Sequence, residues 1–157
     1  MRKIFAMLAM SSLAFFSCSS DDTTPTPTPA SGTMTAVIDG NSWNAALAVQ
    51  AVKISGTFQV SGSDNSAKQM NVTIMNYTGP GTYALGGSAT SGNGNLGRWT
   101  AGLNSSQTYS TMVGQGEGTC TITSETGGVV EGTYSFTAKN TDGVQVSVTE
   151  GKFKASL

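Results

Sequence analysis

The chain has no histidine, and only 11% of its 157 residues are charged. Without histidine it lacks the usual general base near neutral pH and the commonest metal ligand. The scarcity of charge leaves a formal net charge of −1. No basic cluster follows Arg2 and Lys3, so nucleic acid and electrostatic docking on anionic membranes are poor partners for it. Cysteine occurs twice, as Cys18 and Cys120. Disorder throughout would need a high net charge, which is missing. Glycine, serine, threonine and asparagine fill the space, beside 38% apolar residues. That profile belongs to a turn-rich, β-rich extracytoplasmic protein rather than a helical one.

Arg2 and Lys3 precede a mostly apolar run of 13 residues, 4–16. It is too short to cross a hydrocarbon core of about 30 Å as a helix, and its layout is that of a signal peptide. The run ends in Phe15-Phe16-Ser17-Cys18. A small residue followed by cysteine at that point resembles the lipobox of bacterial lipoproteins, although Phe15 and Phe16 replace the commoner Leu-Ala pair. The resemblance implies a helical signal peptide over 1–17. It also implies a diacylglyceryl group on the Cys18 thiol, cleavage before Cys18, and acylation of its amine with palmitate-type chains. Two or more such chains anchor a protein stably. Ser19 is not the aspartate that marks inner-membrane retention. Ser20-Asp21-Asp22 resembles the short acidic export signal of Bacteroidota surface lipoproteins, which implies an outer-membrane location facing the exterior. The alternative is an ordinary signal peptide cut near Ser17, giving a soluble secreted β-protein.

Residues 18–31 form a linker around Thr23-Thr24-Pro25-Thr26-Pro27-Thr28-Pro29. Alternating proline fixes φ and favours extended polyproline II without internal hydrogen bonds. At ~3.1 Å per residue that run spaces the domain some 20 Å from the membrane. Asp22-Thr23-Thr24 resembles an O-glycosylation site of the same bacteria, with Thr23 as the acceptor.

Removing 17 residues leaves 140, enough for one domain that buries roughly two-thirds of its unfolded surface. Over 32–157 short alternating runs are separated by Gly, Asn, Asp and Ser clusters. The pattern predicts an antiparallel β-sandwich of roughly eight short strands, or alternatively an up-and-down or partly open β-barrel. Residues 51–61 read as one strand. In 130–139 Gly132, Tyr134, Phe136 and Ala138 point inward; Val144, Val146 and Val148 continue that face. The apolar phase then slips by one at Glu150-Gly151, which predicts a β-bulge or a crossing between sheets.

Two stretches carry a wider resemblance. Glu131-Gly-Thr-Tyr-Ser-Phe-Thr-Ala-Lys-Asn140, with Val146-Ser-Val-Thr-Glu-Gly-Lys-Phe153, is similar to the C-terminal part of an uncharacterised family of Bacteroidota lipoproteins. Ala36-Val-Ile-Asp-Gly-Asn-Ser-Trp43 is similar to that family's first hairpin. The resemblance implies an all-β domain and a lipid anchor, and it supplies no catalytic or binding residue.

No catalytic constellation emerges, so the chain is expected not to be an enzyme and to need no cofactor or metal. Gly92-Asn93-Gly94-Asn95-Leu96-Gly97 matches G-x-G-x-x-G, but Arg98-Trp99-Thr100 opens no helix for a pyrophosphate. Cys120 sits on an inward position with no histidine to activate it and reads as a small hydrophobe. Glu117, Glu125, Glu131 and Glu150 offer acids for glycoside chemistry without a motif that pairs two of them. Asp64-Asn65 and Asn140-Asp142 lack EF-hand spacing and read as turn formers. Trp43 beside the first turn reads as a core plug. Trp99 and Tyr109 flank a polar loop and are the candidates for an exposed ligand platform. The expected role is therefore non-catalytic binding or structure in the cell envelope, with the membrane reached through Cys18 and a glycan or another envelope protein as partner. The alternative is a glycan-active enzyme or an accessory subunit of glycan uptake.

Overall fold

The structure, a computed structural model, describes residues 32–87 and 94–157. The expectations for 1–31, including Cys18 and Thr23, and for Gly92 and Asn93 fall outside these residues.

Among the described residues, period-two alternation of apolar residues produces eleven strands. They are β1 (Thr33–Ile38), β2 (Asn41–Asn44), β3 (Ala48–Ile54), β4 (Thr57–Ser63), β5 (Gln69–Ile74), β6 (Gly81–Gly86), β7 (Leu96–Thr100), β8 (Thr108–Ser110), β9 (Glu117–Thr126), β10 (Val129–Lys139) and β11 (Gln145–Ser156). Every pairing is antiparallel. The hydrogen-bonded path runs β2-β1-β11-β10-β8-β7-β5-β4-β3, with β9 also on β10 and β6 on β9.

Strand β10 is the branch point. Along most of its length it pairs with β9, and at its end the pair Lys139↔Ser110 passes the sheet to β8. Two limbs result, β2-β1-β11-β10-β9-β6 and β8-β7-β5-β4-β3. They curl over one another and bury their inner faces together. Across the gap Phe58 of β4 and Phe153 of β11 stand 6.2 Å apart by ring centroids. Trp43 of β2 meets Trp99 of β7 edge to face at 5.4 Å. The fold is the expected all-β antiparallel one, in its partly open barrel form. The limbs face each other as sandwich layers do, but the sheet stays continuous through one residue pair.

The strand count exceeds roughly eight partly because residues 51–61 form a hairpin. Ser55 and Gly56 take φ of 49° and 77°, the left-handed pair that a tight two-residue hairpin turn requires. Between β2 and β3 the chain crosses from one limb to the other. Ala45 N–H donates to Met34 O, and the amides of Ala46 and Leu47 donate to Ser63 O.

The slip in β11 is a bulge. Gly151 pairs with Tyr134, while Val148 pairs with Phe136, and Glu150 sits at φ 52°. Val146, Val148, Phe153 and Ala155 are consequently all buried. At Gly151 a Cβ would lie 2.4 Å from Tyr134 O, so β10 and β11 touch there at a distance only glycine permits. Val144 departs from its expected inward position and is 54% exposed. It precedes β11, in a turn where its amide is held by Asn140 Oδ1 at 2.8 Å.

The two ends of the fold differ. The chain enters β1 at Thr33, opposite Lys154, and the β9–β10 turn lies at the same end. The loops 39–40, 101–107, 111–116 and 140–144 lie at the other.

Candidate functional site

At the entry end three polar side chains from distant parts of the chain converge. A second bulge creates the meeting. On β9 Ser124 pairs with Glu131, but Ile122 pairs with the next residue, Gly132, so Thr123 is left over. The extra residue turns Glu125 onto the inner face, opposite Val130. On β3 the inner positions Val49 and Ala51 are buried, and Lys53 is the next inner position, at the rim. Lys53 Nζ donates to Glu125 Oε1. The Tyr77 hydroxyl donates to Glu125 Oε2 at 2.8 Å. Lys53 therefore ties one limb to the other, and Tyr77, from the loop after β5, secures the tie.

Tyr77 is held from both sides, with its ring 5.1 Å from Phe58 and 5.7 Å from Tyr83. The Tyr83 hydroxyl donates to Gly79 O at 2.6 Å. The hydrogen bond from Lys53, then the one from Tyr77, hold the Glu125 carboxyl below the usual carboxylate range. Burial, and next the bond to Glu125, push the Tyr77 phenol well above its ordinary value. A depression of about 360 Å³ opens beside these groups and is also lined by Ser55, Gly56, Thr78 and Gly79. A ligand there would compete with the bonds that Lys53 and Tyr77 make to Glu125. The arrangement is a clasp across the mouth of the half-barrel.

A shallower depression of about 370 Å³ lies on the outer face of β9, β10 and β11. It is lined by Glu117 and by hydroxyls, among them Thr119, Ser135, Thr137 and Thr149. Glu125 and Glu131, close along β9 and β10, point to opposite faces and have separate partners. Glu117 and Glu125 are eight residues apart on β9, about 26 Å at ~3.3 Å per residue. A glycosidase pair needs about 5–9.5 Å. Glu131 is on the outer face, paired with Lys154 at 2.7 Å.

Trp99 and Tyr109 are cross-strand partners on β7 and β8, as the short loop between them suggested. The exposed platform is not formed, however, because Trp99 is 5% exposed. It shares the inner phase of β7 with Gly97 and spends its ring on Trp43. Tyr109 is half-buried against the core. Trp43 is the core plug the sequence suggested, and its indole N–H donates to Asp64 Oδ2 at 3.0 Å.

Asp64 and Asn140 use their oxygens locally. Asp64 Oδ1 accepts the amides of Ser66 and Lys68 at 2.8 and 3.0 Å. Asn140 Oδ1 accepts those of Asp142 and Val144, and its Nδ2 donates to Ser106 O. Asn95, from the glycine motif, accepts from Met75 N–H and donates to Ala84 O, and strand β7 rather than a helix follows it. Cys120 is fully buried, which pushes its thiol up to about 12.

Lys53, Tyr77 and Glu125 were not singled out together by the sequence. Lys53 and Glu125 are 72 residues apart, and no apolar residue follows Ile122 on β9 to reveal the change of face.

Residues 30–155 match the family described as a domain of unknown function (DUF6252). No curated protein and no solved structure matches the chain.

Proposed function

The chain belongs to the DUF6252 family, and from that premise we propose that it is a lipid-anchored envelope protein of the Bacteroidota type, with a non-catalytic binding or structural role. The observation that carries the anchoring is the resemblance of Phe15-Phe16-Ser17-Cys18, at the end of the apolar leader, to a lipobox. Cys120, by contrast, is a buried core residue. Ser20-Asp21-Asp22 supports delivery to the outer membrane and display on the exterior. The non-catalytic role is supported by the use of the acids, since Glu125 serves the clasp and Glu131 pairs with Lys154.

Intact mass of the protein extracted from membranes tests the anchoring. The expected mature chain begins at Cys18 and carries the mass of its acyl chains. Cys18→Ala is expected to move the protein into the soluble fraction. A wild-type chain recovered unmodified would instead be the soluble secreted β-protein. The hydroxyl-lined depression beside Glu117 favours the second reading, an accessory subunit or enzyme acting on glycans. Turnover of a glycan that Glu117→Gln abolishes would establish that reading against the first.

A further inference from the structure

Nine large apolar side chains are exposed among the described residues; Leu103, Met112, Val113 and Val144 are in separate loops at the far end, whereas three form one patch on neighbouring strands at the entry end. Ile54 is 65% exposed, Val52 46% and Met75 43%. Ile54 and Val52 are successive outward positions on β3. Ile54 pairs with Thr57 on β4, whose hydroxyl contacts Met75 Sδ at 3.5 Å. The patch therefore spans the ends of three neighbouring strands. On β3, β4 and β5 the outward positions around it are Gln50, Gln59, Ser61, Asn71 and Thr73, none of them charged, and Arg98 on β7, paired with Asn71, marks the charged edge of this face. Lys53 faces the other way, into its bond with Glu125.

The patch lies at the end of the domain where the chain enters β1. Ile54 adjoins Lys53, which reaches Glu125 beside the β9–β10 turn, at the end where the chain enters β1. The fourteen residues 18–31 join Cys18 to that end. Extended, they reach roughly 45 Å at ~3.3 Å per residue, enough to lay a face of a domain whose two layers pack about 10 Å apart against a surface. We infer that Val52, Ile54 and Met75 rest in the headgroup boundary of the same bilayer that holds Cys18. The inference depends on the anchoring proposed above. Three apolar side chains make a weak membrane contact when free. A short tether raises their effective concentration at the surface to the order of millimolar, and a weak contact then suffices. The uncharged neighbours on β3, β4 and β5 suit lipid, because they bring no charge to be dehydrated on contact. Leu103, 94% exposed in a loop at the opposite end, then points away from the bilayer.

The test uses the full acylated chain in phosphatidylcholine vesicles. An environment-sensitive fluorophore is attached at Ile54→Cys and, separately, at Leu103→Cys; buried Cys120 stays unlabelled. The expected result is a blue shift at position 54 on reconstitution and none at 103. Val52→Asp combined with Met75→Asp is expected to abolish that shift while the protein stays in the vesicle fraction. An acylated chain with no shift at 54, or with equal shifts at both positions, overturns the docking and leaves the anchor standing. A shift at 54 that grows with protein concentration in the Cys18→Ala chain, without vesicles, assigns the patch to a second copy and also overturns it. An unmodified Cys18 overturns the anchor itself, and the docking with it.

Discussion

Glu125 accepts from Lys53 and Tyr77 at once, and its dependence on pH follows from that. Its folded pKa lies below the ordinary value of 4.5. The ionised carboxylate therefore stabilises the fold above about 4.5, and this contribution is lost as pH falls through the folded value. Urea titrations from neutral pH into acid should show Glu125→Gln less stable than the wild type at neutral pH. The gap should close on acidification. A constant gap would mean that the carboxylate's charge contributes nothing. Cys120 makes the opposite case, a side chain silenced by its surroundings. A thiol reagent should label it only after denaturation, since the thiolate forms near 12 in the folded chain. Its inertness was legible in the sequence, from an inward position with no activating neighbour. The role of Glu125 was not, because a bulge at Thr123 reverses its face and its partner is far away in the chain.

At the scale of elements, the bulge in β11 and the hairpin at Ser55-Gly56 show what alternation reveals. The slip at Glu150-Gly151 was visible because apolar residues flank it on both sides. The hairpin left a fainter trace. The inward residues change from odd, Val49 and Ala51, to even, Phe58 and Val60, and a two-residue turn accounts for the change as a continuous strand does not. Both features concentrate strain or close contact on single residues. Glu150 occupies the left-handed region, where a non-glycine residue costs on the order of 1–3 kcal/mol. Glu150→Gly should raise stability by up to about 1 kcal/mol after glycine's own entropic penalty. Gly151→Ala should lower it by about 1–3 kcal/mol through overpacking, because a Cβ would fall against the backbone and ring of Tyr134. Chemical denaturation of the two variants checks both signs.

For the whole molecule, what matters is that the limbs meet face to face. Trp43 belongs to one limb and Trp99 to the other, and their edge-to-face contact exists only when the limbs are together. Indole fluorescence therefore reports on their apposition, while far-UV circular dichroism reports on the strands. The two transitions should coincide on denaturation, as one cooperative unit requires. Phe58→Ala, which removes the ring against Phe153, should cost about 3–5 kcal/mol and shift both transitions equally. An early fluorescence change with strands intact would show limbs that open independently. The all-β class was legible from composition and spacing. The burial of Trp99 was not drawn from the flanking polar loop, although Gly97 and Trp99 share one phase of β7 and Arg98 and Thr100 the other.

The pairing of β1 with β11 also has a consequence in time. β1 is the first strand of the domain, and apart from the short β2 it finds its partner at the far end of the chain, with Thr33 against Lys154. The same β11 is also the neighbour of β10. Until those last residues have been synthesised, the opening strand has no long partner and the barrel has no means of closing. Loop closure over such a separation is slow. The sheet thus closes late in folding, only after β11 is available to join β1 to β10.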